Sequence, residues 1–221
     1  MLPDPAAQAD VHRDAEDVDF ESAVEMFFRE PPSGGVLGWV SPLCLCRQEL
    51  QDCFVGQIVG EDHIFDHPPH RLFASAMVAL SGVELLARMV PMPSASAGSG
   101  DLFVGLITKY SILAKMPIGD REAKVLLGLR NALSHTFGLY TEHKNRQHAP
   151  LELYSSNHPE PVVSQRPDGT HEIRIESLVI MFLRIVQAVR EDILHTPDMR
   201  PAFLAAYGKY GKLYHRGPHV G

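Results

Sequence analysis

Leu72 to Val90 reads LFASAMVALSGVELLARMV, the longest apolar stretch in the chain. Phe73, Met77, Leu80, Val83, Leu86 and Val90 recur at spacings of three and four. That period predicts one long helix, His70 to Met89, with a buried stripe along its length. Glu84 and Arg88 interrupt the run, so it reads as the central helix of a bundle and not as a membrane span. Pro68-Pro69 precede it, and Pro91, Pro93 and SASAGSG end it in a loop.

Similar periods extend outward from this helix. A short helix is expected at Glu16 to Arg29, with Phe20, Val24, Phe27 and Phe28 on one side, stopped by Pro31-Pro32-Ser33-Gly34-Gly35. A loop with Trp39 and Pro42 leads to a helix near Leu45 to Val59. Downstream, Asp101 is placed to cap a helix from Leu102 to Lys115, and Asp120 one from Arg121 to Phe137, closed by Gly138. Residues 148–175 alternate apolar and polar around Pro167-Asp168-Gly169, which predicts a small antiparallel hairpin. An apolar helix, Glu176 to His195, and a last one, Asp198 to Tyr214, complete the chain, the latter with a packing stripe of Phe203, Tyr207, Tyr210 and Tyr214. The expected class is all-α, a bundle of about seven helical segments with a β-hairpin insertion near 150–175. A chain of 221 residues, 45% hydrophobic, supports one core. Residues 1–15 are expected to be a flexible acidic segment, 16–215 the domain and 216–221 a tail.

Net charge is -7, but it is unevenly placed. Residues 1–30 alone carry nine acidic and two basic side chains, residues 101–150 seven basic and four acidic, and residues 151–221 eight of each. A polyanionic partner is therefore not excluded by the global balance, because the local field decides. The acidic start lacks an apolar signal core, so the expected address is the cytoplasm. Cys44, Cys46 and Cys53, an odd number bunched together, fit reduced thiols on a helix better than a disulfide frame or a zinc site. His63, Asp66, His67 and His70 are suited to a metal by type, but Pro68-Pro69 breaks the run and a surface loop is the plainer reading. No metal and no cofactor are expected, and no phosphate-binding glycine loop or nucleophile elbow occurs.

GLRNALSHTFGLY, Gly128 to Tyr140, places Arg130, Asn131, Ser134 and His135 on a helix otherwise built from leucine and alanine. Asn131 and His135 share a face by spacing, and Arg130 and Ser134 the neighbouring one. A histidine can move a proton near neutrality, and an arginine presents a fixed fork to phosphate oxygens. Such a set can cleave RNA without metal through attack of the 2′-hydroxyl on phosphorus. The same residues also suit a solvated helix face or a buried pair that ties helices together. Lys209, Lys212 and Arg216 interleave with tyrosines in the tail, a pattern that suits single-stranded RNA but also a plain helix end.

Arg130-Asn131-Ala132-Leu133-Ser134-His135, near the end of a helix preceded by two amphipathic ones, resembles the HEPN superfamily (higher eukaryotes and prokaryotes nucleotide-binding domain). Its motif is Arg, four to six residues, then His, and the resemblance covers Arg71 to Tyr140 and the helix from Glu176. It implies a helical bundle, a homodimer with two motif copies in one cleft, and a metal-independent endoribonuclease of the kind found in toxins and defence effectors. RNA would be the substrate, with an antitoxin or effector complex as a further partner. Arg130 and His135 would be catalytic and Asn131 would position them; Ser134, Lys109, Lys124 and Tyr140 are the candidates for holding substrate. Glu84 resembles an acidic residue that some members keep near the Arg. In antitoxin-modified members a Tyr lies two residues after the His, and Phe137 stands there. Catalysis requires Arg130 and His135 at an open electropositive cleft; if the motif residues are buried in the bundle, or spent on internal salt bridges with Glu84, the enzyme reading fails. The alternatives are a non-catalytic helical binding or assembly module, and a nucleotide-binding sensor.

Overall fold

The computed structural model describes residues 18–31, 38–53, 72–91, 98–135, 140–141, 149–155 and 161–215. In chain order the elements are α1 (Phe20–Phe28), β1 (Gly38–Val40), α2 (Pro42–Cys53), α3 (Leu72–Met89), α4 (Ser99–Leu113), α5 (Asp120–His135), β2 (Tyr140–Thr141) and β3 (Ala149–Tyr154). Then follow β4 (Val163–Gln165), β5 (His171–Arg174), α6 (Ile175–His195), a 3-10 turn (Pro197–Met199), α7 (Arg200–Tyr210) and β6 (Leu213–His215). The protein is mostly helical, with a small sheet component.

The expected stripe in α3 is buried only in part: Leu80, Val83, Leu86 and Val90 enter the core, but Phe73 and Met77 at its start are exposed, and the small residues Ala76 and Ala79 take the inner face there. Ala76, Ala79, Leu80, Val83 and Leu86 are fully buried, and α3 packs against α2, α4, α5, α6 and α7. Its length and composition would also pass for a membrane span; here neighbouring helices bury its inner face, while Phe73 and Met77 stay exposed. The approach to α6 depends on Gly82: a Cβ there would stand 2.4 Å from Phe182 Cζ. The missing side chain lets the two backbones close up around the Phe182 ring. At the far side, Phe20, Phe27 and Phe28 of α1 meet Phe203 of α7, with ring centroids 6.0–6.3 Å apart. Ser41 starts α2 by accepting from the Cys44 N–H at 3.0 Å, with Pro42 at the first helical position, while its hydroxyl donates to the Phe27 carbonyl at 2.7 Å.

Several expectations are corrected. Asp101 and Asp120 lie inside the first turns of α4 and α5 and do not cap them; Gly98 is the cap of α4, and its N–H donates to Asp101 at 3.3 Å. Carboxylates in a first turn still favour the helix through its dipole. The hairpin across Pro167-Asp168-Gly169 forms, with β4 antiparallel to β5 and Gly169 at φ 89°. It is not a simple antiparallel ribbon, however: β3 pairs parallel to the other edge of β5, and β2 extends the sheet to the order β2-β3-β5-β4. The last helix stops at Tyr210, not Tyr214. Gly208 and Gly211 are poor helix formers, and the chain turns into β6, which pairs with β1 so that Tyr214 faces Trp39 in register. The two sequence segments expected to be a loop and a helix end are thus strands. The helix expected to Val59 is described as far as Cys53, and its continuation, the His63–His70 cluster, Phe137 and Gly138 lie outside the described residues.

Candidate functional site

Helix α5 buries Ala123, Leu126, Leu129 and Leu133 against the bundle, and this fixes the roll of the helix. Arg130 is left at the border of the buried face, with its side chain 26% exposed, and Asn131 and Ser134 are on the solvent side. On α3, Val83, Leu86 and Ala87 are buried in the same way and hold Glu84 at the facing border. Arg130 Nη2 donates to Glu84 Oε2 and Arg130 Nη1 donates to Asn131 Oδ1 at 3.0 Å. The other Glu84 oxygen accepts from Arg88 Nη2 at 2.7 Å, one helical turn along α3.

One carboxylate therefore serves two guanidiniums, and the trio keeps a net positive charge. Burial pushes the Glu84 carboxyl up, but the hydrogen bonds from Arg88 and Arg130, with their charges, outweigh it and hold the group below the usual carboxylate range. A guanidinium has five N–H donors, of which Arg130 commits two among the described residues. Among the described residues no further partner takes the rest of the fork, which can meet an anion. Neither arginine is buried beyond reach of solvent, since Arg88 is 43% exposed.

Glu84 thus lies beside Arg130, and Asn131 Oδ1 accepts from the same guanidinium. The requirement that Arg130 be free of Glu84 is not met. The reason is local geometry: α3 and α5 meet along small and aliphatic residues, which brings their border side chains within bonding distance. His135 closes α5, but its side chain, like that of Tyr140 in β2, lies outside the described residues.

The lysines proposed for substrate are elsewhere. Lys124 is paired with Asp120 at 2.6 Å, and the α5 rise puts it about 9 Å along the axis from Arg130. Lys109 donates to Asp192 of α6 at 2.8 Å, beside the buried Tyr110, whose hydroxyl donates to the same oxygen at 2.6 Å. Gly100, at the start of α4, lies against Leu127 of α5, so Lys109 belongs to the far end of that antiparallel pair. Both lysines are neutralised by partners. Ser134 is exposed and remains available.

Sequence reasoning did not foresee the junction of Arg88 with the end of α7. Arg88 Cζ is 5.7 Å from the Tyr210 ring centroid and Lys209 Nζ is 5.0 Å from it, while Lys212 Nζ is 5.6 Å from the Tyr207 ring. The interleaved Lys and Tyr residues of the tail were the available signal; their placement beside Glu84 is a tertiary fact. Cys44, Cys46 and Cys53 are free thiols on α2, and burial pushes the Cys46 thiol up to about 11, so it is no nucleophile at neutral pH. Among the described residues no three His, Cys, Asp or Glu side chains gather as a metal site. Comparison with protein-family models, curated proteins and solved structures returns no match to this chain.

Proposed function

We propose that the chain is a metal-independent endoribonuclease of HEPN type, active as a homodimer, with Arg130 and His135 at the site. The Glu84–Arg130 bond taken alone counts against this reading; the observation that supports it is that the same carboxylate also serves Arg88, so that the trio keeps a net positive charge at partly exposed guanidiniums. Asn131 Oδ1 accepts from the same guanidinium, and among the described residues Arg130 commits two of its five donors. In this reading the 2′-oxygen attacks the adjacent phosphorus and loses its proton. The bond to the 5′-oxygen breaks and that oxygen gains a proton, leaving a cyclic phosphate and a 5′-hydroxyl. His135 handles the proton, and Arg130 stabilises the charge that builds on the equatorial oxygens. Glu84 and Asn131 act as positioning residues that hold the guanidinium before substrate arrives.

A second reading, a non-catalytic helical module, is favoured by the same ion pair. A carboxylate shared across α3 and α5 ties two helices together whether or not RNA is cut. Incubation of RNA with wild type and His135→Ala in the presence of EDTA separates the two. Cleavage by wild type alone, with cyclic phosphate ends, supports the enzyme; equal cleavage by both, or none by either, supports the module. Thermal stabilisation by mono- or oligonucleotides without turnover would point to a nucleotide sensor instead.

A further inference from the structure

The geometry points to a phosphate subsite at the C-terminal end of α7, built from Lys209, the Tyr210 hydroxyl and Arg88, which takes a phosphate of single-stranded RNA next to the one at Arg130. The inference rests on the RNA reading above and adds to it a second contact, made by an element outside the motif. Arg88, Arg130, Lys209 and Lys212 come from three helices and the turn after α7. Among the described residues, Glu84 is the single carboxylate that bonds any of the four. Lys109 and Lys124, by contrast, each have their own aspartate. Four cations that share one carboxylate leave a net positive field here, where a polyanion would find it.

Arg88 links this end of α7 to the motif. Its guanidinium is bonded to the same Glu84 carboxylate as Arg130 and also lies against the Tyr210 ring. A contact with Lys209, and the charges of Lys209 and Arg88, hold the Tyr210 phenol below its usual range against the opposing effect of burial. The hydroxyl thus stands in a positive potential and can donate to an anion between the two cations. Arg88 is 43% exposed and Lys209 is exposed, so an incoming phosphate displaces water and not packing. The last carbonyls of α7 oppose an anion, but a helix end carries about half a charge, and the cations outweigh it.

The test uses the full chain and a fluorescein-labelled 2′-O-methyl single-stranded RNA of about twelve nucleotides, which binds without being cut, in anisotropy titrations over a salt series. Lys209→Ala is expected to weaken binding about 5-fold for U-rich and A-rich probes alike, and to flatten the salt slope by about 0.7. Tyr210→Phe should weaken it about 3-fold, with KM for a cleavable RNA rising more than kcat falls. Arg190→Gln, which removes an exposed positive charge on α6, serves as the charge control and should change affinity by less than about 2-fold. If Lys209→Ala and Tyr210→Phe bind RNA like the control while the wild type still cleaves it, the subsite is wrong and the cleavage reading stands. A wild type that binds no RNA at all overturns both.

Discussion

Glu84→Gln is the most informative single change, because it removes a charge without removing volume. The side chain of Glu84 is 15% exposed and that of Arg130 26%, so the bond between α3 and α5 is partly shielded from water. Hydrogen bonds to charged groups contribute about 1.5–3 kcal/mol, and the partial exposure puts this one near the lower end. The Arg88 pair is an i,i+4 contact on one helix with an exposed partner, worth about 0.3–0.5 kcal/mol. Together they give a loss of about 2 kcal/mol, which lowers Tm by about 4–8 °C for a chain of this size. The pH dependence has a definite sign. A carboxyl whose folded value is depressed contributes stability above its unfolded value, here 4.5, and loses it as pH falls through the folded value. The difference between wild type and variant, followed by circular dichroism melts, should be full at pH 7 and shrink below about pH 4.5. The variant also sheds one negative charge beside two arginines, so it should bind RNA more tightly while cleaving it more slowly, because Arg130 is no longer held. A Tm within about 1 °C of wild type at pH 7 would show that the carboxylate ties nothing together. Lower stability combined with no cleavage by either protein would overturn the enzyme reading and leave the helical module and the nucleotide sensor.

Three other outcomes are expected. Gly82→Ala should destabilise by about 1–3 kcal/mol in urea unfolding, since its Cβ would meet the Phe182 ring; an unchanged or raised midpoint would mean that α3 and α6 are not so close. Tyr110→Phe should cost about 1–2 kcal/mol, because Asp192 loses the donor of its 2.6 Å bond, and the Asp192 carboxyl, now held low by Lys109, Tyr110 and Thr196 against burial, should titrate at higher pH by NMR. Deleting residues 1–15, which removes three acidic side chains and one basic one, should raise RNA affinity slightly at low salt and have little effect at high salt. Equal affinities at low salt would remove any masking role for that segment.

The helices were legible where one physical signal governs. The apolar period from Phe73 to Val90 placed α3, which occupies Leu72–Met89 within the expected bounds, but it did not foresee that Phe73 and Met77 stay exposed while Ala76 and Ala79 are buried. The turn at Pro167-Asp168-Gly169 was legible because it needs a residue tolerant of positive φ, and Gly169 supplies it. The parallel pairing of β3 with β5 was not, since alternation in a short strand specifies a face and not a partner. Tyr214 failed for a related reason: three- and four-residue spacing continues past Tyr210 in sequence, but two glycines end the helix and a strand pairing with β1 takes over.

The site was half legible, and the missing half concerns what Glu84 does to Arg130. Spacing can place two arginines and an acid on known helix faces, but it cannot say how many cations one carboxylate must serve. A cation with its own aspartate, like Lys124 with Asp120, belongs to a pair of zero net charge and offers a phosphate little. An arginine that shares a carboxylate with a second arginine keeps most of its field. The shared bond holds its long side chain in one place, so that less rotamer entropy is lost when an anion arrives. The ion pair that reads as an obstacle when Arg130 is considered alone thus becomes a support when Arg88 is counted with it. The same count directs attention to Tyr210 and Lys209, because Arg88 is the residue that carries the positive field from α3 to the end of α7.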